Sequence, residues 1–132
     1  MIKELSVRTT NRTQFINITS EVVSFVRSSG IKNGFIVIYA PHTTASITIN
    51  ENADPSVKKD IDNFLNKIIP IDFGFTHYEG NSDAHIKSSL VGASETVIIE
   101  NGHLLLGRWQ GIYFCEFDGP RSRRAILKIF SG

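Results

Sequence analysis

Cys115 is the chain's single cysteine among 132 residues. No intrachain disulfide can form, and a C-x-x-C metal site is excluded. Neither sign of charge prevails. Lys and Arg number 14, Asp and Glu 13, and the formal net charge is +1. No global field draws such a chain to nucleic acid or to a membrane surface. No run reaches the ~20 apolar residues of a membrane span. The opening MIKELSVRTT has no apolar signal core. The expectations are a cytoplasmic location, no nucleic-acid partner and no membrane partner. Internal repeats and low-complexity linkers are absent too.

What is present is ordinary in amount and uneven in placement. A chain with 41% hydrophobic and 20% charged residues has the composition of a soluble globule. Its length predicts one domain over residues 1–132, able to bury about two-thirds of its unfolded surface.

Strands are expected over Lys3–Thr9 and Gln14–Ile18, joined by a polar turn into an opening hairpin. Thr19 caps a helix that ends at Gly30. Phe35–Ala40, FIVIYA, is a short β-branched run that predicts a strand buried on both faces. After Pro41, His42–Asn50 alternates, with Ala45, Ile47 and Ile49 on one face and Thr44, Ser46, Thr48 and Asn50 on the other. Asp54-Pro55 opens a helix whose buried stripe is Val57, Ile61, Phe64, Leu65 and Ile68. A loop follows over residues 71–79. A helix over 83–91, ending at Gly92, is expected to bury Ile86 and Leu90, with His85 and Ser89 bordering that stripe. The remainder is β. Thr96–Glu100 turns at Asn101-Gly102 into His103–Gly107. Gly111–Phe117 turns at Asp118-Gly119-Pro120 into Arg124–Phe130. Hairpins dominate and no βαβ alternation occurs. The expected class is α+β, a largely antiparallel sheet or sandwich with about three helices.

Four residue groups carry chemistry. His42, His77 and His85 are either a three-histidine metal centre or three separate polar histidines. No pair has the i, i+4 spacing of a helical zinc site. Asn50, Glu51 and Asp54 leave a strand and enter a helix. They are either helix caps or ligands. A straight strand puts His42 and Asn50 roughly 25 Å apart, so they serve separate purposes or meet across two chains. Glu116 shares its strand face with Ile112 and Phe114, so it should be partly buried and needs a partner. Arg121, Arg123 and Arg124 stand close by. They supply either that structural ion pair or a phosphate clamp, since arginine forks match phosphate oxygens. Cys115 reads as a small buried residue rather than a nucleophile.

Three stretches in register, HTTASITINENADPSVKKDI, HYEGNSDAHIKSSLVGAS and GRWQGIYFCEFDGPRSRR, resemble the YjbQ family, also called the secondary thiamine-phosphate synthase family. The resemblance implies a compact α+β fold, assembly as a homotrimer, and thiamine-phosphate synthase activity on small phosphorylated metabolites. That reaction joins a pyrimidine pyrophosphate to a thiazole phosphate. By motif, the family's polar positions fall on His42, Asn50, Glu51, Asp54, His77, Asn81, His85, Lys87, Gln110, Glu116 and Arg121.

The catalytic candidates are then His42, Glu51, His85 and Glu116. The candidates for phosphate and substrate are Asn50, Asn81, Lys87, Gln110, Arg121 and Arg123, with the start of the helix near Gly80–Asp83. Trp109 is a candidate to face a ring. A divalent metal is implied. It would be zinc on His42, His77 and His85, or magnesium on Glu51, Asp54 and Asp83. The alternative is a trimeric protein that binds a metal or small anion without turnover.

Overall fold

The structure, a computed structural model, describes residues 1–132. Its order is β1 (Ile2–Arg8), β2 (Gln14–Asn17), α1 (Thr19–Ser29), β3 (Gly34–Tyr39), β4 (Ala45–Glu51) and α2 (Pro55–Ile68). Then come α3 (Ser82–Val91), β5 (Ser94–Glu100), β6 (His103–Leu104), β7 (Gln110–Glu116) and β8 (Ser122–Ser131). All strand pairs are antiparallel. One sheet has the order β1-β8-β3-β5-β6 and the other β2-β7-β4. The predicted α+β class with three helices and antiparallel sheets is the observed one.

Alternation along the strands decides the layers. Ile36 and Ile38 of β3, Val97 and Ile99 of β5, and Ala125, Leu127 and Ile129 of β8 point inward. They meet Ile47 of β4 and Ile112 and Phe114 of β7 in the main core, which Val22, Phe25 and Val26 of α1 complete. Tyr113, Cys115 and Phe117 leave the other face of the smaller sheet and pack with Ala84 of α3. The central strand β7 is therefore buried on both faces, from Gly111 to Glu116. Cys115 is fully buried, and burial pushes its thiol far up, out of the reactive range.

Four expectations are corrected. The opening strands do not form a hairpin: β1 pairs with β8 and β2 with β7, in different sheets. Non-local pairing outweighs the short connection. Thr19 does not cap α1. The Asn17 Oδ1 accepts both the Thr19 N–H and the Thr19 hydroxyl, at 3.0 and 2.6 Å. β3 is buried on one face only; Phe35 and Tyr39 are exposed on the outer side. There Phe35 stacks on Phe130 at 4.9 Å, across from Ile98. No layer covers this face within the chain.

The fourth correction concerns the helices that cover the smaller sheet. Phe64 and Ile68 of α2 are exposed, leaving Val57, Ile61 and Leu65 half-buried. In α3 the predicted face is reversed. Leu90 is 68% exposed, while Asp83, Ala84, Lys87 and Ser88 are buried. The cause lies in β4. Its Ser46 face is polar and turns toward α3. Ser46 donates to the Ser88 carbonyl at 3.0 Å, and the Ser88 hydroxyl donates to the Ala45 carbonyl at 2.9 Å. Ala84 keeps the approach close. A polar strand face selects a polar helix face.

Candidate functional site

The β7–β8 turn supplies the frame. Glu116 is fully buried at the end of β7 and takes four donors. Arg123 Nε–H and Nη2–H donate at 2.8 and 2.5 Å, the Thr9 hydroxyl at 2.8 Å and the Asp118 N–H at 3.0 Å. Burial alone would push this carboxyl up. The Arg123 fork and the other two donors outweigh it and hold the group below its usual value. Arg123 also donates through Nη2 to the Thr44 hydroxyl at 2.8 Å. Its Nη1 takes no part in these bonds. Gly119 is the turn's tightest point. A Cβ there would fall 2.3 Å from the Asn11 carbonyl oxygen and 2.8 Å from both Glu116 Cγ and Thr9 Oγ1.

In front of this frame lies a groove of about 620 Å³. Its walls come from three places: the β3–β4 connection with Pro41, His42 and Thr44; the start of α3 with Asn81 and His85; and the turn with Asp118, Arg121 and Arg123. Tyr39 forms one rim and Glu79 another. His42 is half-buried, and its Nε2 lies 3.1 Å from the Arg124 amide nitrogen. Burial, then the positive charge of Arg123, pushes the His42 ring down from its ordinary value. At neutral pH the ring is uncharged. Nε2 stands equally close, at 3.1 Å, to the Arg124 carbonyl oxygen, and it accepts from the N–H or donates to the carbonyl according to the ring's tautomer. Arg121 is half-exposed and bonds Asp118 through Nε–H to the carbonyl at 2.8 Å and Nη2–H to the carboxylate at 2.9 Å. Asn81 Nδ2 donates to the same carboxylate at 2.9 Å. That bond fixes the amide's orientation and leaves Asn81 Oδ1 buried without a donor.

Of the residues singled out in the sequence, His42, His85, Asn81, Arg121 and Arg123 meet on this groove, with Glu116 behind Arg123. His77 is exposed in the 71–79 loop, its ring edge-on to His85 with centroids 5.9 Å apart. Its Nε2 stands 3.8 Å from Glu79 Oε2. The others lie elsewhere. Asn50, Glu51 and Gln110 occupy the opposite end of β4 and β7, where Glu51 pairs in register with Gln110. Each serves local backbone. Asn50 Oδ1 accepts the Glu51 N–H at 2.7 Å, Glu51 Oε2 the Ala53 N–H at 2.8 Å, and Gln110 Oε1 the Gly107 N–H at 2.7 Å. Asp54 caps α2 through the Ser56 N–H at 2.9 Å. Trp109 is exposed beside Arg108, 4.8 Å from its guanidinium. Lys87 faces away from the groove, in a buried cluster with Asp83 and Asn66.

The metal expectations fare differently from the anion ones. No group of three His, Cys, Asp or Glu side chains is placed to hold an ion. His42 spends Nε2 on β8 backbone. Asp83 is held by Arg12 at 2.8 Å, Asp54 is taken by the Ser56 N–H and Glu51 by the Ala53 N–H. Neither the three-histidine zinc set nor the three-carboxylate magnesium set is assembled in the chain, so the residues do not fit the implied metal. Sequence reasoning missed Thr9, Thr44 and Arg12, which hold Glu116, Arg123 and Asp83. The adjoining Thr43-Thr44 pair after His42 is the signal that could have found Thr44.

A sequence model described as "UPF0047 protein YjbQ-like" matches residues 3–132. The UPF0047 protein of Methanocaldococcus jannaschii is 58% identical over 129 residues, 98% of this chain and 94% of that protein. The UPF0047 protein YugU of Bacillus subtilis is 55% identical over 130 residues, covering 98% of both. A crystal structure of a yjbq/upf0047-family protein from Clostridium acetobutylicum superposes with TM-score 0.95 at 55% identity, covering 97% of this chain and 99% of that one. One from Sulfolobus solfataricus, at 30% identity, gives TM-score 0.96 over 100% of this chain and 97% of that one.

Proposed function

The chain belongs to the YjbQ/UPF0047 family, and from that premise we propose that its groove binds a small phosphorylated metabolite and acts on it. One observation carries the reading. Arg123 is fixed on its Nε/Nη2 edge by Glu116 and Thr44, and it lines the same groove as Arg121, His42 and His85. A guanidinium clamped on one edge presents the other in a set direction. That suits phosphate oxygens and costs little ordering on binding. In the tautomer whose Nε2–H donates to the Arg124 carbonyl, His42 presents a free Nδ1 lone pair and is the base. His85 is the second proton carrier.

The finer reading is a transfer of the thiamine-phosphate synthase type. The thiazole nitrogen forms a C–N bond to the pyrimidine methylene carbon. The C–O bond to pyrophosphate breaks, and pyrophosphate leaves with the electron pair. Arg121 and Arg123 neutralise the charge that develops on it. The same reading sets the site at a contact between copies of a homotrimer; Tyr39, which belongs both to the groove rim and to the uncovered outer sheet face, supports it. There Phe35, Ile98 and Phe130 are apolar surface that a second copy would cover. The second reading is binding without turnover. It is favoured by Glu51, Asp54 and Asp83, the acids suited to a pyrophosphate-bound magnesium, all being engaged away from the groove.

The test is product formation from the two phosphorylated precursors by the wild type, His85→Ala and Arg121→Ala. Turnover by the wild type and its loss in both variants supports transfer. Phosphate binding without turnover selects the second reading. Undiminished turnover in both variants refutes the groove. For the assembly, light scattering should give three times the 14.7 kDa of one chain, and Phe130→Asp should reduce it to one.

A further inference from the structure

α3 carries a second polar cluster, turned away from the groove. The Lys87 side chain is 1% exposed and Asp83 is fully buried. Both Asp83 oxygens are taken by the Arg12 fork, at 2.8 and 3.1 Å. Lys87 Nζ reaches that carboxylate only at 3.4 Å and donates more closely, at 2.5 Å, to the neutral Asn66 Oδ1. Two cations thus share one buried anion. Asp62 is one step removed; it accepts from Thr13 and from the Asn66 amide. Burial pushes the Lys87 ammonium down from its ordinary value; Asp83 opposes this, Arg12 adds to it and Asp62 offsets a little. Arg12 has a second carboxylate within reach, Asp118 Oδ1 at 3.8 Å from Nη2, whereas the ion pair of Lys87 is to the shared Asp83 alone. This arrangement leaves an amine whose proton is weakly held.

Although barely exposed, the Lys87 side chain forms part of a cleft wall. A cleft of about 400 Å³ is lined by Arg12, Thr13, Asn66, Asp72, Asp83 and Lys87, with Pro70 and Ile71 beside them. It shares no lining residue with the groove. Arg12 is 35% exposed there; its fork to Asp83 uses one N–H of each terminal nitrogen and Nη2 also stands 3.8 Å from Asp118 Oδ1, leaving Nε–H and the outer Nη1–H for a ligand.

We propose that this cleft is a second site, where the Lys87 amine forms an imine with a small carbonyl compound that carries a carboxylate, a 2-oxo acid in class. The carboxylate is held by the free N–H groups of Arg12. The ammonium first yields one proton to solvent in the cleft. The amine nitrogen then adds to the carbonyl carbon, and a C–N bond forms as the C=O π pair moves to oxygen. That oxygen leaves as water with the remaining two nitrogen protons, giving C=N. Nothing is oxidised or reduced, and hydrolysis reverses each step.

The experiment uses the unaltered chain at neutral pH with pyruvate as probe and cyanoborohydride to trap any imine, followed by proteolysis and mass spectrometry. The expected result is Lys87 as the principal lysine adduct, several-fold over exposed lysines such as Lys3 and Lys59, because the cleft places Arg12 beside this amine alone. Lys87→Arg, which keeps a cation beside Asp83, should lose that adduct and no other. Adducts spread over the exposed lysines with Lys87 unmodified would overturn the proposal. So would equal trapping with acetone, which has no carboxylate for Arg12. Neither readout depends on the groove.

Discussion

Replacing Glu116 by Gln tests the frame behind the groove. The substitution keeps volume and removes charge. Four donors converge on the native carboxylate, two from Arg123 and one each from Thr9 and Asp118. An amide has one acceptor oxygen. Whichever way it turns, its NH₂ meets two of those donors. Arg123 is left buried with a neutral partner. Losing one member of a buried pair costs about 3–5 kcal/mol. A chain of 132 residues unfolds with an entropy such that each kcal/mol moves Tm by about 3–5 °C. The expected fall is therefore about 10–20 °C, read by circular dichroism at pH 7 and at matched concentration. Glu116→Met with Arg123→Leu removes both charges and should recover most of the loss. It should not recover phosphate binding, because Arg123 has gone. A fall in Tm of less than about 3 °C for Glu116→Gln, or phosphate binding restored in the double variant, would refute the reasoning.

Three further outcomes follow from the same geometry. Gly119→Ala places a methyl against the Asn11 backbone and Glu116. It should cost about 1–3 kcal/mol and weaken phosphate binding, as read by calorimetry; unchanged binding argues that the turn does not position Arg121 and Arg123. Acid should destabilise the fold through His42, whose ring takes a proton less readily folded than unfolded. That contribution is present above the unfolded value of about 6.5 and fades as pH falls toward the folded one. His42→Gln should flatten the Tm profile between pH 7 and 5, and an unchanged slope would count against it. Ser88→Val strips two buried hydrogen bonds between α3 and β4. A loss of about 1–3 kcal/mol is expected in urea melts, and no loss would contradict the polar packing of that helix.

The strands were legible because alternation is local. Ile112, Phe114 and Glu116 against Tyr113, Cys115 and Phe117 is the observed division of β7. Glu116's need of a partner followed from its apolar neighbours. Partners between strands were not legible. β1 finds β8 at the far end of the sequence, and no turn signal announces that. α3 failed for another reason. Helical periodicity says which residues share a face, and the inward face was assumed to be the apolar one. The Ser46 face of β4 reverses it. Lys87 could have been placed better. Two residues from His85 is about 200° around a helix, so one ligand cannot meet both. The groove itself joins three distant stretches, around His42, His85 and Arg123, and only the fold brings them together.

The bonds behind the groove also bear on synthesis. Thr9 is separated from Glu116 by 107 positions and from the Arg121 N–H by 112. On the ribosome, α1 and the β3–β4 segment emerge long before the residues that hold them in register. Until Arg123 has left the exit tunnel, Thr44 and Thr9 lack their partners, and β3 shows one unpaired edge. Such long-range pairing is slow to form and prone to association while it waits. The groove therefore cannot close before β8 is made, and a chain stalled before residue 120 presents the β8 edge of β3 and the Phe35 face to its neighbours with no site formed.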